Sequence, residues 1–123
     1  MNRCIAALCV AASLLAGCEN DRECERARLD LSKTWRGLVE SASRRQMAGV
    51  DIEGWKWVQG RVALLESSFA TTQVTWSSAE KARNELTSRL PGMQTDTPGN
   101  LTGYRLSVES ALREQDAFAK KCR

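Results

Sequence analysis

Histidine is absent from all 123 residues, which removes imidazole acid–base catalysis, serine–histidine triads and most zinc sites. Nor is there a glycine-rich phosphate loop: Gly54 and Gly60 lie within a helical pattern, and Gly92, Gly99 and Gly103 are scattered. The carboxylate pairs Glu80/Glu85 and Glu109/Glu114 sit on polar faces beside basic residues and read as solvated surface charge. No stretch alternates apolar and polar with period two for long enough to make a strand. The two prolines, Pro91 and Pro98, bracket a single loop. Repeats, low-complexity tracts and long linkers are missing. Charge of one sign is missing too: the net of +3 is mild and evenly mixed, which argues against nucleic acid as a partner. These absences describe a non-catalytic protein with no assigned catalytic, cofactor or metal residue.

What is present begins with a short basic start, Met1-Asn2-Arg3, and an apolar stretch from Cys4 to Leu15. That is the layout of a secretory signal. The run is too short to cross a bilayer, which takes about 20 apolar residues as a helix. The charged Glu19-Asn20-Asp21-Arg22-Glu23 that follows does not suit a stop-transfer segment. A buried core helix is the alternative for a stretch of this length.

The segment then reads Leu15-Ala16-Gly17-Cys18: an aliphatic residue, two small residues and a cysteine. It resembles the lipobox of bacterial lipoproteins, and the match covers these four residues and the signal before them. The resemblance implies removal of residues 1–17, a diacylglyceryl thioether on Cys18 and acylation of its new amino group. Burial of acyl carbons stabilises the membrane-bound form by about 0.8 kcal/mol per CH₂, and lasting attachment needs more than one chain. In that family an aspartate after the lipidated cysteine favours inner-membrane retention. Here Glu19 follows, so the outer membrane is favoured over the inner.

Loss of Arg3 leaves 17 of the 18 lysines and arginines against 15 acidic residues, in one domain of roughly a hundred residues. Cys4 and Cys9 leave with the signal, and Cys18 takes the lipid. Cys24 and Cys122 remain, an even pair in an exported chain, where disulfides persist. Neither lies in a close Cys-x-x-Cys motif, so a structural bond is expected rather than a redox role. Two free thiols are the alternative.

Apolar spacing by threes and fours predicts four helices and an all-α fold. The first spans about Asp21 to Met47, with Cys24, Ala27, Leu31, Trp35, Leu38 and Ala42 on one face. Ala48-Gly49-Val50 ends it, and Asp51 is a suitable N-cap for the second. The second carries Trp55, Val58, Val62, Leu65 and Phe69 and stops in Ala70-Thr71-Thr72-Gln73-Val74. Ser77 and Glu80 have capping-box spacing for a third helix bearing Ala79, Ala82, Leu86 and Leu90, which Pro91-Gly92 ends. Thr97 or Asn100 caps a fourth, with Leu101, Tyr104, Val108, Ala111 and Phe118 leading in register to Cys122.

Short connections favour antiparallel neighbours, so a small antiparallel four-helix bundle is expected. With four helices, the start of the first and the end of the fourth share one end. With three they would not, and a disulfide needs its Cα atoms within about 7 Å. The helix count and the Cys24–Cys122 bond therefore support each other. The expected organisation is residues 1–17 as signal, 18–23 as a lipid-anchored tether spanning at most about 20 Å, and 24–123 as the disulfide-closed bundle.

One pattern exceeds a plain core. At 100° per residue, Trp57 and Leu64 project away from the Trp55, Val62 and Phe69 face of the second helix, with Gly60 between them. Arg61, one turn from Trp57, could cover its ring. Trp57, Gly60, Arg61 and Leu64 are thus the candidate partner-binding residues, for a partner helix or self-association. Cover by loops or by the end of the first helix is the alternative. The expected function is a lipid-anchored envelope protein acting as a binding or scaffold subunit, in a machine for secretion, motility or surface assembly. The alternative is a small-ligand or peptide-binding lipoprotein, requiring a cavity among Trp35, Trp55, Trp76 and Tyr104.

Overall fold

The structure is a computed structural model that describes residues 12–44, 52–93 and 100–123. Four helices follow in order: α1 (Ala12–Arg44), α2 (Ile52–Ser68), α3 (Trp76–Arg89), a 3₁₀ turn (Leu90–Gly92), and α4 (Asn100–Cys122). No strand occurs among the described residues. The protein is an antiparallel four-helix bundle.

Periodicity accounts for the core. Leu31, Trp35, Leu38 and Ala42 of α1 are buried, as are Ala79, Ala82 and Leu86 of α3 and Leu101, Tyr104, Val108 and Ala111 of α4. On α2 the whole expected stripe, Trp55, Val58, Val62 and Leu65, with Phe69 just beyond the helix, has no exposed surface. Each such Leu or Val stabilises the fold by about 1.5–3 kcal/mol relative to exposure. Trp55 meets Tyr104 edge-on at 6.1 Å, joining α2 to α4 across the centre.

The expected Cys24–Cys122 disulfide is present, with Cα atoms 5.7 Å apart. It joins α1, twelve residues after that helix begins, to the end of α4. At the same end, the Arg28 guanidinium donates to the Phe69 carbonyl at 2.6 Å, and Trp76 at the start of α3 stacks on Phe118 at 5.7 Å. The end of α2, the start of α3 and the end of α4 therefore converge beside Cys24 and Arg28 of α1, as up-down-up-down topology requires. Helix α1 packs along α2 and α4, and α2 along α3, whereas α3 and α4 touch at few points.

Three local expectations differ. The first helix begins at Ala12 rather than near Asp21 and runs unbroken to Arg44. Residues 18–23 are thus helical and not an extended tether, because nothing between Cys18 and Cys24 breaks a helix. At 1.5 Å per residue, about 9 Å separates those two Cα atoms along the axis. The Ser77/Glu80 capping box does not form. Thr75 is the N-cap and has no side-chain cap bond, Ser77 falls inside the first turn, and Glu80 pairs instead with Arg123. As expected, Pro91 ends α3 by turning the chain into the 3₁₀ turn. Residues 1–11, the first-helix end at Met47 with Ala48-Gly49-Val50, and the caps at Asp51 and Thr97 lie outside the described residues, as do the side chains of Cys18 and Asn100.

Candidate functional site

Three surfaces of the bundle carry more than packing. The first is the disulfide end. Arg28 is 5 % exposed, a charge held inside by full use of its fork: Nε bonds Glu25 at 3.1 Å, a second nitrogen also reaches Glu25, and the third caps the carbonyl of Phe69. That carbonyl ends α2, where a cation offsets the negative pole of the helix. Phe69, Trp76 and Phe118 form one aromatic cluster, and Arg123 lies over the Trp76 ring at 5.0 Å. A pocket of about 140 Å³ opens here, walled by the disulfide, Arg28, Trp76 and Phe118. On its outside, Lys121 donates to Glu23 at 2.9 Å, and this bond together with the lysine's charge holds the Glu23 carboxyl below its ordinary pKa of 4.5.

The second surface is the seam between α2 and α3. Trp57 and Leu64 are partly buried and pack against the core, so they do not stand clear of the bundle as a single-helix projection implies. Arg61 covers one part of the Trp57 ring at 5.2 Å, and Arg89 of α3 lies closer, at 4.5 Å. Arg61 also reaches Glu85 of α3 at 3.2 Å. Three of the four candidate residues are thereby tied to α3 or to the core of the same chain. Gly60 is the exposed one, and a Cβ added there would meet nothing within 4 Å.

The third surface was not singled out by sequence reasoning. Where α3 and α4 part, a half-open groove of about 350 Å³ lies between one stripe of each helix: Arg83, Thr87, Leu90 and Pro91 facing Glu109, Leu112, Arg113 and Asp116. The positions are i, i+4, i+7, i+8 and i, i+3, i+4, i+7, so each stripe runs about two turns. Leu90 and Leu112 are buried and make the floor. Arg83 and Asp116 close the groove at its disulfide end with two parallel bonds of 2.9 and 2.8 Å. The Asp116 bond raises the Arg83 pKa further above its ordinary value. The signal available in the sequence was Leu112, an apolar residue off the expected α4 face.

The four residues required to surround a carrier cavity do not together line either pocket, and Trp55 and Tyr104 are packed against each other. Trp35, Trp55 and Tyr104 have no exposed surface and fill the interior. Trp76 is at the disulfide end, and neither pocket described above is lined by the other three. No described helix is long and apolar enough to cross a membrane. Comparisons with protein-family models, with curated proteins and with solved structures find no match.

Proposed function

We propose that this protein is a non-catalytic binding or scaffold subunit of a bacterial cell envelope, anchored by lipid on Cys18. The observation that carries this reading is the unbroken α1. It runs from the lipobox cysteine into the bundle, and the disulfide fastens it at Cys24. Cleavage before Cys18 would remove only the opening of α1 and leave the lipidated residue at its head. The disulfide end would then sit close against the bilayer, with the α3–α4 groove running away from it. Such a rigid, short mount suits a protein that presents a fixed surface to a neighbour, and suits poorly one that must travel with a cargo. Glu19 favours the outer membrane.

Mass spectrometry of the envelope-extracted protein tests the anchor. The expected N-terminal peptide starts at Cys18 and carries diacylglyceryl and acyl mass. Cys18→Ser is expected to release the folded protein from membranes into the soluble fraction. An unmodified thiol at Cys18, or a serine variant still sedimenting with membranes, refutes the anchored reading. The scaffold part is tested by cross-linking in intact envelopes, where a discrete covalent complex of constant size is expected and a monomer alone refutes it.

A further inference from the structure

We propose that the α3–α4 groove is the docking site for an amphipathic helix of a partner protein, with one acidic and one basic residue flanking its apolar stripe. This deepens the scaffold reading and rests on it. Of the four adjacent helix pairs in the ring, α3 and α4 are the pair that touch sparsely, and the gap between them runs parallel to the helix axes. A groove of that direction is the space a further helix fills when its ridge packs between two others.

The floor is Leu90 and Leu112, with Pro91 on the exposed rim. The two lining stripes, Arg83 to Pro91 on α3 and Glu109 to Asp116 on α4, run side by side along the groove. Each stripe spans about two turns, the length of a short docked helix. Arg83 and Asp116 bound the groove at its disulfide end.

Charge on the rim specifies the occupant further. Glu109 and Arg113 both line the groove, one turn apart and in the order that favours an i,i+4 ion pair. Yet no ion pair forms between them or with any other described residue. An apolar floor beside one unused acid and one unused base is complementary to a helix carrying the opposite pair. A second copy of this chain fits less well. Matching Glu109 to Arg113 between copies would set the two α4 helices antiparallel and send the two Cys18 anchors in opposite directions.

The test uses the full chain in detergent and three synthetic helical peptides sharing one leucine stripe. Their two flanking positions, four residues apart, carry lysine with glutamate, two glutamates, or two lysines. The unaltered protein is expected to bind the mixed peptide saturably and at least tenfold more tightly than the other two. Glu109→Lys is expected to shift the preference to the two-glutamate peptide, and Arg113→Glu to the two-lysine peptide. Thr87→Trp, which puts bulk on the exposed α3 side of the groove, is expected to weaken the mixed peptide at least tenfold without moving the melting temperature.

No saturable binding, or a ranking that ignores the charge reversals, overturns the proposal. So does self-association of the free protein that the same reversals abolish, since that assigns the groove to a second copy. If the groove fails while a partner is still cross-linked in envelopes, the scaffold reading stands and only the place of docking is wrong.

Discussion

Removing the Cys24–Cys122 bond is the most informative single perturbation of this fold. The two residues are 98 positions apart, so the bond closes almost the whole bundle into one loop. In the chain-entropy model a loop of that size stabilises the native state by about 4–5 kcal/mol, a figure at the upper edge of what is measured. Unfolding entropy near about 2.1 cal/mol/K per residue gives roughly 0.2 kcal/mol/K for a domain of this length. The Cys24→Ala/Cys122→Ala protein is therefore expected to melt about 20 °C lower. Little native contact leaves with the sulfurs: Lys121 still reaches Glu23 and Thr34 still reaches Glu114 across the α1–α4 pair. Helical circular dichroism at low temperature should thus match that of the parent. Because the effect lies in the unfolded chain, the urea m-value should rise as that chain expands. A fall of under about 5 °C would refute the loop-entropy argument. Loss of helicity at low temperature would refute it differently, by showing that the staple holds the native packing itself.

Gly60→Ala is expected to stabilise the protein by about 0.5–1 kcal/mol in urea titration, since it adds helix propensity where nothing crowds a Cβ. If the same change weakens partner cross-linking, the exposed face of α2 is in contact with that partner. Arg28→Met is expected to cost about 2 kcal/mol, because the α2-terminal Phe69 carbonyl loses a charged donor; unchanged stability would show that water replaces the guanidinium freely. Lys121→Ala should return the Glu23 pKa upward toward 4.5, read by side-chain NMR titration. A folded pKa below the unfolded one adds stability above the ordinary carboxylate pKa and loses it as pH falls through the lowered value. The parent should accordingly show a small extra acid-side loss that the variant lacks.

The bundle was legible because its information is local. Trp55, Val58, Val62, Leu65 and Phe69 recur by threes and fours, and all five are fully buried. The cysteine pairing followed from the same count, since four helices return the chain to the end it left. The α2 stripe read poorly for a geometric reason. A projection of one helix assigns a single inner face, but α2 packs on both α1 and α3, and its buried arc is wide enough to take in Trp57 and Leu64. Arg28 stands in register with Cys24, Leu31 and Trp35, but what lets a charge be buried there was not legible, because its acceptor lies 41 residues away. The capping box failed through competition, Glu80 finding Arg123 at the chain end rather than the backbone of its own helix.

The order of residues alone determined that the chain is helical, how many helices it makes and which cysteines meet, because each depends on spacing within a few turns. Only the tertiary structure decided which surface is left open. Whether Trp57 is covered, and whether α3 stands apart from α4, turns on how four rods share one core, and no single rod contains that.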